Sequence, residues 1–237
     1  MKLLVTRPEP DGERTAEALR ARGHAVLVSP LIRIAPVEAD FGAGPWAGLI
    51  VTSANAVRAL ENHPQRERLS GLPVLAVGDR TAEVARAAGF ADVTSAGGTA
   101  NDLSSLAKSR YGGKGQPLLW LAGVDRAGDL AGALAAEGVP VEIRVIYQSV
   151  ADMTLTPEAA DALRDGSLDA ALHFSRRSAA AYLSKAATAG LAEAAILPVH
   201  CCLSARTAEP LIAACASRVR ISPRPTEQSL LELVDSL

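Results

Sequence analysis

Most of this chain is written twice. The segment LLVTRPEPDGERTAEALRARGHAVLVSPLIRI resembles LLWLAGVDRAGDLAGALAAEGVPVEIRVIYQS, so that Leu3 faces Leu118. LIVTSANAVRAL resembles LHFSRRSAAAYL, with Ser53 facing Ser175. VGDRTAEVARAAGFADVTS resembles LSARTAEPLIAACASRVRIS, with Thr81 facing Thr207, and the tails GTANDLSSLAK and RPTEQSLLELVDS also match. Ala-rich helices look alike by composition, but that does not reproduce the R-T-A-E tetrads at Arg80–Glu83 and Arg206–Glu209. Registered matches in the same order, drifting only by loop length, mean an internal duplication.

Each copy alternates short apolar runs with Ala-rich helical stretches. LLVT (3–6), GLIVTS (48–53), PVLAVG (73–78), PLLWLAG (117–123), AALHFS (170–175) and VHCCLS (199–204) all precede such stretches, and AVLVSPLIRI (25–34) reads as extended. Continuous apolar strands between helices predict a parallel sheet covered on both faces, an α/β class. With 49% hydrophobic but 3% aromatic residues, the core must be built from Ala, Val, Leu and Ile. Two similar units predict two domains with a ligand cleft between them. The break falls either near residue 115 or in a crossed arrangement. LIRIAPV (31–37) and RVIYQSVA (144–151) are equivalent in the repeat and are expected to form a two-stranded hinge.

Charge and cysteine content narrow the function. A net charge of −2 argues against a general nucleic-acid binder. Three cysteines build no disulfide framework, which points to a reducing compartment. The opening MKLLVTRPEPDGER is too short in apolar residues for a signal peptide, and no run approaches a membrane helix. The expectation is a cytoplasmic protein, monomeric, with no membrane or nucleic-acid partner. Phosphate-loop and dinucleotide glycine patterns are missing. His200, Cys201 and Cys202 lie along one strand and have no second ligand pair at a zinc spacing, so they read as buried structure rather than metal ligands. His24, His63 and His173 are scattered, and Trp46 and Trp120 read as packing residues.

In doubly wound sheets ligands bind beyond the carboxyl ends of the strands. The turns there are Thr6-Arg7-Pro8, Thr52-Ser53-Ala54-Asn55, Gly78-Asp79-Arg80-Thr81, Ala122 to Arg126, Ser175-Arg176-Arg177-Ser178 and Ser204-Ala205-Arg206-Thr207. Five of these six turns contain Arg, and nearly all carry a hydroxyl. Singly, such hydroxyls serve as N-caps and such arginines as solvated charge. Together, at helix N-termini, they point to a polyanionic small ligand. Tyr147 sits in the expected hinge strand beside the cleft.

The order of these motifs resembles the uroporphyrinogen-III synthase family along essentially the whole chain. The family's T-R-P strand end is Thr6-Arg7-Pro8, and its T-S-x-N-A-V is Thr52 to Val57. Its V-G-x-x-T-A turn is Val77 to Ala82, and its hinge tyrosine is Tyr147. Phe174 to Ser178 departs from F-[TS]-S-P-S by Arg176 and Arg177, and Ser204 stands where glycine is usual. A side chain at Ser204 is expected to crowd N–H donors that glycine leaves open.

The resemblance implies two flavodoxin-like domains in the crossed arrangement: 1–34 with 151–237 as one discontinuous domain, 38–144 as the inserted one, and hinge segments 31–37 and 144–151. It implies cofactor-free cyclisation of hydroxymethylbilane, a linear tetrapyrrole polycarboxylate, to uroporphyrinogen III. Loss of the hydroxyl as water gives an azafulvene, and attack through the substituted carbon of ring D gives a spiro-pyrrolenine. Fragmentation and re-closure then invert that ring. Tyr147 is expected to assist hydroxyl departure. Thr6, Arg7, Thr52, Ser53, Asn55, Gly78, Arg80, Ser175, Ser204 and Thr207 are expected to bind carboxylates, with Arg206 a further helper. The substrate's instability makes transient contact with the upstream synthase one possible partnership, on which the sequence is silent. The alternatives are a two-lobed binding module for a polyanion, a flavodoxin-like electron carrier, and an inactive paralogue.

Overall fold

A computed structural model describes residues 1–126 and 128–237. It divides into two compact units, Met1–Arg33 with Val150–Leu237, and Ile34–Ser149. The chain begins with β1 (Lys2–Val5), α1 (Asp11–Arg20), β2 (Ala25–Val28) and β3 (Arg33–Pro36). Next come β4 (Gly48–Val51), α2 (Ala54–Glu61), α3 (Arg66–Leu69), β5 (Val74–Ala76), α4 (Asp79–Ala87), β6 (Val93–Ser95) and α5 (Ala100–Tyr111). The middle closes with β7 (Leu118–Gly123), α6 (Leu130–Ala136) and β8 (Val141–Val150). The last third is α7 (Pro157–Arg164), β9 (Ala170–His173), α8 (Arg176–Thr188), α9 (Ala192–Ala195), β10 (Val199–Cys202), α10 (Ala205–Ala213), β11 (Val219–Ile221) and α11 (Glu227–Asp235).

The first unit holds a five-stranded sheet in the order β11-β10-β9-β1-β2, every pair parallel. Counting β1, β2, β9, β10 and β11 as strands one to five gives the order 2-1-3-4-5, the flavodoxin-like form of a doubly wound sheet. The second sheet runs β3-β8-β7-β4-β5-β6. Starting the count at β7 yields the same order, with β3 added outside β8. This agreement is consistent with duplication, since the sequence match pairs β1 with β7, β9 with β4 and β10 with β5.

Strand alternation makes two cores around the second sheet. Leu49, Val51, Leu119 and Leu121 pack with α2 and α4 on one face. Ile50, Leu118, Trp120 and Ala122 pack with α5 and α6 on the other. Helices start where capping dictates: Ser53, Thr99, Thr156, Ser175, Ser204 and Thr226 each accept a backbone N–H of the first turn. Within the run 25–34 the ladder of β2 ends at Val28, and Ser29 N–H still donates to the Val5 carbonyl at 2.9 Å and Leu31 N–H to that of Thr6 at 3.4 Å before β3 begins at Arg33. Leu31 and Ile32 are buried between the two strands.

In the first unit the sheet gathers two histidines that are far apart in sequence. Adjacent strands β9 and β10 place His173 Nε2 and His200 Nδ1 3.1 Å apart, both fully buried, against the Tyr182 ring. Burial pushes His173 well below its ordinary value and His200 down to about 4. The unfolded chain therefore binds protons at these sites below about pH 6.5 while the folded one does not, so stability is full above that value and falls as the pH drops toward 4. We expect the melting temperature to decline between pH 6.5 and 5, ahead of carboxylate titration. Thermal melts of His200→Gln should show a flatter decline over that interval, and an unchanged slope would remove the pair as its cause.

Candidate functional site

In the second unit β4 and β5 are neighbours, so the N-termini of α2 and α4 lie side by side at the carboxyl edge of the sheet. The caps Ser53 and Gly78 share one extended conformation, φ −153° at both. Ser53 accepts from Asn55 N–H at 3.2 Å. Asn55 itself accepts from Arg58 at 3.0 Å, and Thr52 accepts from the Trp120 indole at 3.3 Å. Gly78 faces the glycine turn after β6, where an added Cβ would come 3.3 Å from Gly98 Cα. Arg80 pairs with Glu83 at 3.3 Å. Tyr147 is half-buried on β8, near the Ser53 side chain. Burial pushes its phenol above the usual tyrosine value, and the neighbouring Ser53 hydroxyl offsets part of that rise. Of the expected residues in this unit, Tyr147 and Ser53 are thus brought near each other.

The first unit repeats the layout with α8 and α10 following β9 and β10. Ser175 forms a capping box with Ser178, accepting its N–H at 3.0 Å. Ser204 has φ −157°, close to that of Gly78, and accepts the Thr207 N–H at 3.3 Å. Its hydroxyl also meets that of Thr207 at 3.0 Å, and its hold on the Thr207 N–H occupies a donor that glycine would leave open. No acidic residue sits in the first turn of α2, α8 or α10, which leaves those helix ends electropositive. Arg206 is exposed, while Arg176 pairs with Glu209 at 2.8 Å and ties α8 to α10.

Two expected ligand contacts are committed elsewhere. Thr6 is fully buried and donates to the Leu172 carbonyl at 3.3 Å, joining β1 to β9. Arg7 is not solvated: it lies 4.2 Å over the Phe174 ring and donates to Thr15 at 3.0 Å. It also pairs with Glu227 at 3.3 Å. Burial pushes the Glu227 carboxyl up, but hydrogen bonds from Thr15 and Arg14 and the charge of Arg7 outweigh that and hold it below the ordinary value. Glu227 was not singled out from the sequence. Its signal was there in the matched tails, where a threonine N-cap precedes the helix, but the pairing with Arg7 is long-range. Removing Glu227 leaves Arg7 buried with Asp11, 3.9 Å away, as its acidic neighbour. Urea denaturation of Glu227→Ala should show a loss of about 3 kcal/mol, and Arg7→Ala in the same chain should recover part of it.

Among the described residues, no group of three or more His, Cys, Asp or Glu is placed to hold a metal ion, and no helix is long and apolar enough to cross a membrane.

Comparison with known proteins bears on the whole chain. The family model for uroporphyrinogen-III synthase HemD matches residues 13–232. The uroporphyrinogen-III synthetase of Helicobacter pylori superposes with a TM-score of 0.66 at 20% identity, covering 100% of this chain and 99% of that one. A mutant uroporphyrinogen III synthase of Thermus thermophilus gives 0.54 at 17% identity, with 100% and 98% covered. Curated protein sequences give no significant match. The structural likeness establishes the shared fold, and the sequence model supplies the family. The chain belongs to the uroporphyrinogen-III synthase family of tetrapyrrole-forming enzymes.

Proposed function

We propose that the chain is a hydro-lyase that cyclises hydroxymethylbilane to uroporphyrinogen III with inversion of ring D. The family match over residues 13–232 carries this reading. Each unit by itself offers carboxylate-binding helix ends: the first turn of α2 in the second unit, and those of α8 and α10 in the first, hold no acid and carry hydroxyls at their N-termini. Such helix ends grip carboxylates through backbone N–H groups without needing a free lysine or arginine for each one.

The chemistry asks little of acid–base groups. The terminal hydroxyl leaves as water as the adjacent pyrrole nitrogen pushes in its electron pair and gives up its N–H proton, so that a neutral azafulvene and one water result, and ring D then attacks through its substituted carbon. Uncatalysed closure gives the uninverted isomer, so the decisive task is to hold the chain bent in one geometry. Tyr147 is the group assigned to hydroxyl departure. With its phenol raised above the ordinary value, it stays protonated through the neutral range and acts as a hydrogen-bond donor to the leaving oxygen. The chain's three free cysteines suit the cytoplasm.

Purified protein incubated with fresh hydroxymethylbilane should yield uroporphyrinogen III faster than buffer yields the type I isomer. Type I product alone, at the buffer rate, sinks the reading. In the same assay, Tyr147→Phe should lower kcat about 10²-fold with KM little changed, the scale of one positioned proton donor.

A further inference from the structure

Strands β7 and β8 pair in steady register from Leu118 opposite Val141 to Ala122 opposite Val145. The register then skips, and Gly123 stands opposite Tyr147, leaving Ile146 as an extra residue. Val124 closes the bulge by donating to the Tyr147 carbonyl at 3.0 Å.

The skip decides which face Tyr147 uses. Val141 and Ile143 lie with Trp120 and Ala122 against α5 and α6, and strict alternation assigns position 147 to that face. Instead Ile146 and Tyr147 both lie on the opposite face, with Leu119, Leu121 and Val57 of α2. That is the face on which α2 begins, with Ser53 as its cap. Gly123 completes the arrangement. It is not in the left-handed region, so conformational freedom does not explain it. A Cβ there would lie 2.7 Å from Tyr147 Cζ and 2.9 Å from both Cε2 and the hydroxyl oxygen. These separations are well inside van der Waals contact.

We propose that the β8 bulge and Gly123 together form the positioning device of the site, the bulge choosing the face of Tyr147 and Gly123 providing the space its ring occupies beside Ser53. The proposal rests on the catalytic reading of Tyr147 given above. Gly123 is a positioning residue and touches no substrate.

Gly123→Ala tests this, because the atoms in its way are the far end of a side chain and can move while the backbone stays. Circular dichroism should be native. Tyrosinate absorbance titrations, differenced against Tyr147→Phe, should show Tyr147 moving toward the ordinary value of about 10. The kcat for uroporphyrinogen III should fall about 10²-fold with KM little altered. In a Tyr147→Phe background, Gly123→Ala should cost no further activity. Wild-type titration of Tyr147 in Gly123→Ala overturns the proposal, and so does an equal loss of kcat in both backgrounds. If Tyr147→Phe turns over normally, the catalytic reading of Tyr147 fails, yet the titration still decides whether Gly123 places the ring. Should Gly123→Ala not fold, adding Tyr147→Ala must restore folding; failure to do so rejects the clash as the cause.

Discussion

The pairing of β1 with β9 is the contact on which the first unit depends. Leu3 lies opposite Ala170 and Val5 opposite Leu172, and the Lys2 N–H donates to Asp169 Oδ2 at 2.7 Å. The entropy of closing so long a loop grows only slowly with its length. Against that cost stand a continuous parallel ladder and the burial of Leu3, Val5, Ala170 and Leu172 with α1 and α11. The pairing also places Thr6 and Arg7 beside Leu172 and Phe174. In the same unit Arg7, just after β1, meets Glu227 at the start of α11.

Both sheets deliver helix N-termini to their carboxyl edges, but they use hydroxyls in two ways. Ser53, Ser175 and Ser204 satisfy backbone donors of their own helices. A carboxylate arriving there competes with these side chains for N–H groups, whereas at Gly78 no side chain stands in the way. Binding at the serine-capped ends thus means exchange of one acceptor for another, and a charged carboxylate makes the stronger hydrogen bond.

Much of this was legible in the residues. The duplicated pattern, the parallel α/β class and the turns at strand ends follow from apolar periodicity and capping chemistry, which act within a few residues. Less legible were the fates of individual side chains. Thr6 and Arg7 read as ligand contacts because both sit in a strand–helix turn, yet one serves the sheet and the other a buried ion pair. His173 and His200 read as unconnected, since their contact depends on which strands become neighbours.

The amino-acid order by itself determined the α/β alternation and the capped starts of helices such as α2, α8 and α10, because propensity, capping and burial periodicity are local properties. Only the tertiary structure decided which face Tyr147 takes, why position 123 has no side chain and what neutralises Arg7. A bulge is defined by the partner strand, a close approach by the ring that fills the space, and an ion pair by two segments meeting. None of these is a property of any short stretch of chain.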